Sequence, residues 1–117
     1  MIEETYVRNA TVRKVVDGDT IEVVVDMGFR RYSVERLRVS RINTPEVRGE
    51  QRIEGLASKD FVVKLLPEGT KIVIQSSKGD AFGRWIAEVY YIDGATNEQV
   101  NLSDLLLSKG LAKVYEG

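Results

Sequence analysis

The chain contains no cysteine and no histidine. Without cysteine there are no disulfides, no thiolate metal sites and no sulfur nucleophile. Without histidine there is no Ser-His relay, no imidazole base titrating near neutrality and no His-ligated zinc. Any chemistry must therefore use carboxylates, guanidinium groups, amines, phenols, hydroxyls or a hard cation held by oxygens. No stretch approaches the roughly 18 consecutive apolar residues of a membrane-crossing helix, so a membrane partner is not expected. The opening residues, MIEETYVRN, are acidic and polar, unlike the basic-then-apolar start of a secretory signal. The compartment stays open. Proline is scarce too, with only Pro45 and Pro67.

What is present fits one domain spanning 1–117. The apolar fraction of 43% and charged fraction of 30% suit a soluble globular chain with a modest core. Net charge is −1, which argues against a uniformly basic nucleic-acid binder. The distribution is uneven, however. Between Arg30 and Arg52 stand seven arginines against three glutamates. That segment could face phosphates or could simply be a solvated face.

Strand-like runs dominate the first third. Tyr6 to Val16, Thr20 to Val25 and Tyr32 to Ile42 read as three antiparallel strands. Asp17-Gly18-Asp19 and Asp26-Met27-Gly28 are the turns between them. Glu54 to Leu66 reads as a helix whose buried face is Ala57, Phe61 and Leu65 with Val62 beside them. Pro67-Glu68-Gly69 stops it. Thr70 to Gln75 and Trp85 to Ile92 are further strands, separated by a polar loop from Ser76 to Gly83. Asn101 to Lys109 is a second helix, capped by Asn101 and ended by Gly110, with Leu102, Leu105 and Leu106 as its apolar stripe. Leu111 to Tyr115 adds a short extended piece. This order predicts a β-rich α+β fold, a five-stranded Greek-key barrel of the OB type with two packed helices.

The stretch Leu37 to Glu46, LRVSRINTPE, is the centre of the functional reading. It starts as a strand carrying Arg38 and ends in Asn43-Thr44-Pro45-Glu46, a turn locked by Pro45. Stiff turns of this kind position chemistry. Asp17 and Asp19 at the first hairpin tip, and Asp80 and Arg84 around Phe82-Gly83, are its candidate partners. Phosphodiester hydrolysis without histidine needs such a set. A hard cation takes carboxylate and carbonyl oxygens, another carboxylate handles the attacking water, and guanidinium groups clamp phosphoryl oxygens. Each piece also has an ordinary explanation. Asp-Gly-Asp-Thr makes a good hairpin turn, Arg38 could pair with a glutamate, and Phe82, Trp85 and the tyrosines could be core or rim.

In order, the D-G-D-T hairpin, R-x4-N-T-P-E, D-x2-G-R and the closing K-G-L-A-K-V-Y resemble the staphylococcal nuclease family from about Ala10 to Tyr115. The resemblance implies calcium-dependent hydrolysis of DNA and RNA that leaves 3′-phosphate ends. It makes Asp19, Asn43 and the Thr44 carbonyl the metal side, Glu46 the water-activating carboxylate, and Arg38 and Arg84 the phosphate clamps. Phe82 and Tyr115 become substrate contacts. Single-stranded DNA or RNA is the expected partner, and a monomer the expected state. Asn43 stands where the family usually has aspartate, so weaker calcium binding is expected. Phe82 stands where tyrosine is common, and the family's third, C-terminal helix is expected to be missing. The alternative is a catalytically lapsed OB-fold module that binds single strands without cleaving them. A protein-interaction domain is the third reading.

Overall fold

Alternation along the chain sets the barrel wall. In β2 (Thr20–Gly28), Ile21, Val23 and Val25 are buried while Glu22, Val24 and Asp26 are half-buried. Period-2 burial of β-branched residues is the signature of a strand with one face on a core. The structure is a computed structural model that describes residues 6–79 and 84–115. β1 (Tyr6–Asp17), β2 and β3 (Arg31–Val39) form an antiparallel meander. β5 (Lys71–Gly79) pairs with β1, and β6 (Trp85–Ile92) pairs with β5. The closing seam is parallel: Leu37 faces Trp85, Arg38 faces Ile86 and Val39 faces Ala87. Five strands thereby close in the order β1-β2-β3-β6-β5-β1. This is the expected OB-type barrel, with two α-helices among the described residues.

Inside sit Val12, Ile21, Val23, Leu37, Val39, Ile74, Ala87 and Val89, with Leu102, Leu106, Val62 and Leu66 capping them from the helices. α2 (Leu102–Ser108) starts as expected. The Asn101 side chain accepts the Asp104 N–H, and Gly110 takes φ 70° after its end. Leu102 and Leu106 are buried and Leu105 is packed against the core.

Several boundaries differ from the sequence reading, for physical reasons. β2 runs through Asp26–Gly28, and the turn is Phe29-Arg30, both at positive φ (54° and 63°). Gly28 is left-handed as expected, at φ 81°, but it marks a register irregularity next to the turn. The third strand breaks at Ser40-Arg41. Ile42–Asn43 becomes a separate strand, β4, paired with β8 (Lys113–Val114). Ser76–Gly79 belong to β5, since backbone pairing with β6 needs no apolar side chains. A short β7 (Gln99–Asn101) extends the sheet beside β6.

α1 spans Arg52–Leu65, after a 3-10 turn at Gly49–Gln51. Its buried face is Gly55, Ser58 and Val62, with Phe61 and Leu65 half-buried, whereas Ala57 is exposed. Close backbone approach, not apolar bulk, selects this face. Among the described residues no helix is long and apolar enough to cross a membrane.

Candidate functional site

The parallel β3–β6 seam decides where the charged groups meet. Leu37 and Val39 point into the core, so Arg38 between them must point the other way. In register, Arg38 lies beside Thr20 on β2 and Ile86 on β6. Arg84 immediately precedes β6 and reaches the same place. Its Nη1 donates to Thr20 Oγ1 at 3.4 Å. The hairpin tip before Thr20 supplies Asp19, anchored by the Val39 N–H bond to the Asp19 carbonyl at 2.8 Å.

Asp19 is nearly buried and well satisfied. Its Oδ2 accepts the Thr44 N–H at 3.0 Å, and its Oδ1 accepts the Thr20 hydroxyl at 3.2 Å. Arg38 bridges to the far side. Its Nη2 lies 3.6 Å from Asp19 Oδ2 and donates to Asn43 Oδ1 at 3.3 Å, while Nη1 donates to the Val39 carbonyl at 2.8 Å. Tyr115 slides beneath the guanidinium, with its ring centroid 5.3 Å from Arg38 Cζ, within cation–π range. The β4–β8 ribbon carries Tyr115 there, and the Tyr115 N–H bond to the Arg41 carbonyl at 2.9 Å extends it.

Asp17, Asp19, Arg38, Asn43, Thr44, Glu46, Arg84 and Tyr115 thus line one cleft of about 290 Å³. Eight of the ten sequence candidates for the site come together there. The other two, Asp80 and Phe82, lie outside the described residues. Glu46 and Asn43 are exposed on the cleft wall, and Thr44 is buried beneath it. Burial, reinforced by the charge of Asp19, pushes the Asp17 carboxyl above its ordinary value, with Glu46 adding to it and Lys59 and Arg84 opposing it.

The turn is held from behind by groups that spacing did not single out. A Cβ on Gly55 would lie 2.0 Å from the Glu46 carbonyl oxygen and 2.8 Å from that of Pro45. Only glycine lets α1 and the turn touch this closely. Likewise a Cβ on Gly18 would lie 2.9 Å from Thr44 Cγ2 and 3.1 Å from Ser58 Cβ. Ser58 Oγ donates to the Leu111 carbonyl at 2.7 Å, tying α1 to the segment that leads into β8. The Glu46 N–H reaches Gln51 Oε1 at 3.4 Å.

Arg41 is the other structural support. It sits at φ 67°, rare for a non-glycine residue, and its guanidinium forks onto Glu88 at 2.6 and 3.1 Å, Asp104 at 3.0 Å and Asn101 at 3.2 Å. The Glu88 carboxylate holds it further toward its charged form. The arginine-rich segment is therefore divided. Arg38 faces the cleft, Arg41 braces the fold and Arg36 pairs with Glu22 at 3.5 Å. Thr20 was also missed. Its position directly after Asp19 on a strand was the available signal.

The donors suit a hard cation. Asp19, Asn43 and the Thr44 main chain each have an oxygen to offer, and a positive group already rests against the Asp19 and Asn43 oxygens in the form of Arg38. Among the described residues no three carboxylates gather closely enough to hold a metal. A cation here would rely on one carboxylate with neutral oxygens.

Comparison with known proteins agrees with this frame. The family model for staphylococcal nuclease homologues matches residues 36–117. Two relatives, from Escherichia coli O157:H7 and Escherichia coli, each bear the name uncharacterized endonuclease and are 33% identical over 105 residues. Each alignment covers 90% of this chain and 60% of the relative, so the chain spans about three fifths of the length of these relatives. The matched region begins just before Arg38 and runs through the turn, Arg84 and Tyr115. The chain belongs to the staphylococcal nuclease homologue family.

Proposed function

We propose that this protein is a metal-dependent nuclease that hydrolyses phosphodiester bonds of single-stranded DNA or RNA, with calcium as the metal. The observation that carries the reading is the single cleft joining Asp19, Arg38, Asn43, Thr44, Glu46 and Arg84. Arg38 and Arg84 clamp the phosphoryl oxygens and stabilise the charge that builds on them. Glu46, exposed beside them, takes the proton of the attacking water. Tyr115 presents a ring and a phenol at the mouth, against the strand to be cut. Asp19, Asn43 and the Thr44 carbonyl would hold the cation. When bound, it offsets phosphate charge and makes water easier to deprotonate. Thr20 links the two halves, accepting from Arg84 and donating to Asp19.

Single-stranded DNA with calcium, then with a chelator, is the direct test. Cleavage that appears only with the metal is expected, and chelator-insensitive or absent cleavage refutes the reading. Glu46→Gln should lower turnover by about 10²- to 10⁴-fold without unfolding the protein.

One observation favours a second reading, a binding module without cleavage. Asn43 lacks the charge of an aspartate, and Arg38 already occupies the space between its amide oxygen and Asp19. Under this reading oligonucleotides bind with a falling log-salt dependence and stay intact, and Asn43→Asp creates activity. Turnover by the unmodified protein rejects it.

A further inference from the structure

Period-2 alternation carries the face of the cleft further along the barrel wall. Thr20 and Arg38 are register partners at the cleft, Ile21 and Leu37 turn inward, and Glu22 and Arg36 are the next pair on the cleft's own face. Arg36 therefore stands two residues from Arg38, about 7 Å along β3. Continuing the parallel β3–β6 register back by one residue from Leu37 and Trp85 brings Arg84 level with Arg36. Arg13 approaches Glu22 from β1, where the register shifts between Val12 and Lys14. Its Nε lies 3.5 Å from Glu22 Oε2, and Arg36 Nη2 lies 3.5 Å from Glu22 Oε1. Two guanidinium groups thus share one carboxylate, and the group keeps a net positive charge. The Arg13 and Arg36 side chains are 54% and 45% exposed, against 16% for Glu22, so the cations are what this surface presents. The proposed chemistry does not use them.

We propose that Arg36 and Arg13 form a second phosphate site, which takes the phosphate flanking the one clamped by Arg38 and Arg84. The proposal rests on the nuclease reading. The step of about 7 Å from Arg38 to Arg36 is comparable with the separation of successive phosphates along a nucleic-acid strand. A strand running along β3 therefore sets neighbouring phosphates against neighbouring arginines. Contacts of 3.5 Å between exposed groups are long for charge-assisted hydrogen bonds and hold the fold only weakly, so a phosphate can draw both guanidinium groups away from Glu22. The chain as a whole carries a net charge of −1, so capture of a polyanion depends on local positive groups such as this one. The next outward pair, Val24 and Val34, is apolar, so the site takes one flanking phosphate and no more. Phosphate contacts read no sequence. The specificity they confer is for a strand with more than one phosphate over an ester with one.

The test compares cleavage, in calcium, of a dinucleoside monophosphate, which has one phosphate, and a single-stranded deoxyoctanucleotide, which has flanking ones. Arg36→Gln should raise KM for the octanucleotide by about 3- to 20-fold, because a contact remote from the reacting bond acts on binding alone. It should change little for the dinucleoside monophosphate, which puts no phosphate at Arg36. Arg13→Gln should act in the same sense. In parallel, the Glu46→Gln protein, with calcium, is titrated against a labelled octanucleotide at several salt concentrations and followed by anisotropy. Adding Arg36→Gln should reduce the log-salt slope by about 0.7, the share of one phosphate contact on a single strand, whereas Arg36→Lys should keep the slope. An unchanged octanucleotide KM, an equal loss on both substrates, or an unchanged slope in the Gln variant overturns the phosphate site and leaves the nuclease reading intact. Failure of the unaltered protein to cleave either substrate defeats the nuclease reading, and the salt slope then still decides whether Arg36 holds a phosphate.

Discussion

Gly55→Ala separates two opposed effects at one helical position. On an exposed helix surface this change favours folding by about 0.5–1 kcal/mol, because alanine loses less backbone freedom. Here the added Cβ would lie 2.0 Å from the Glu46 carbonyl oxygen and 2.4 Å from its carbonyl carbon. The turn must retreat by about 1 Å to reach even a tight 3.0 Å contact. These atoms are backbone, locked by Pro45 on one side and by the Asp19–Thr44 bond on the other, so retreat is costly. Overpacking of this kind costs about 1–3 kcal/mol, which exceeds the propensity gain. A net loss of about 1–2 kcal/mol is expected, read as a lower urea midpoint at constant m-value. Turnover should suffer more than stability suggests. Glu46 and Thr44 move together, and a misplacement of about 1 Å in a reacting constellation can cost about 10²-fold. The control is Ala57→Gly on the same helix. Ala57 is exposed, so the loss should be only about 1 kcal/mol, with turnover unchanged. A Gly55→Ala protein that is more stable than wild type and equally active would refute the close-packing argument.

Arg41→Lys keeps the charge but loses the fork onto Glu88. It should lower stability by about 1 kcal/mol, and the loss should shrink in high salt because the guanidinium is half-exposed; a salt-independent loss would speak against the ion network. Replacing Phe29-Arg30 by Asn-Gly puts the pair best suited to left-handed backbone into this two-residue hairpin turn and should raise stability by about 1–2 kcal/mol in urea unfolding. An unchanged midpoint would show that the turn carries no strain. For Asp17, burial raises the folded-state pKa, so the folded protein keeps this proton to higher pH than the unfolded chain does. Stability from this group is therefore present at low pH and falls as pH rises from the ordinary carboxylate range through the raised value. Asp17→Asn, measured in chelator, should melt higher than wild type at pH 7, and the difference should vanish below the ordinary carboxylate range. A lower melting point at pH 7 would contradict the burial argument.

Local periodicity carried the strands of the meander, the Asn101 cap and the Gly110 stop, because each depends on residues near one another in the chain. Ile21, Val23 and Val25 alternate visibly, and Asn101 needs only Asp104 three residues on. The rest depends on partners far away. Nothing near Leu37 reveals that it will pair in parallel with Trp85, or that Ile42 will pair with Val114. The buried face of α1 was misread for the same reason. Ala57 looked like core by spacing, yet the face that docks is turned toward Gly55, Ser58 and Val62, where Gly55 meets the loop backbone and Ser58 bonds the Leu111 carbonyl. Gly28 drew the turn assignment one step early, since glycine marks left-handed backbone whether it lies in the turn or beside it.

Most of the site was legible because its groups belong to a motif order, while the groups that aim them do not. Asp19, Arg38, Asn43, Thr44, Glu46 and Arg84 sit on four separate segments, so their convergence depends on how those segments are pinned. The pins are Gly18 against Thr44, Gly55 against Glu46, Ser58 on Leu111, and Arg41 on Glu88. None needs to touch a substrate. Each acts on the stretch Leu37 to Glu46 or on the chain that brings Tyr115 to it. Arg41 stands at the break between β3 and β4, where the strand leaves the barrel wall and becomes the turn. A change there tilts Asn43, Thr44 and Tyr115 together, since the Arg41 carbonyl also receives the Tyr115 N–H. Precision at the cleft and stability of the barrel end are thus the same set of contacts. Substitutions at these pins should therefore reduce both quantities together, whereas changes at Glu46 should reduce turnover alone.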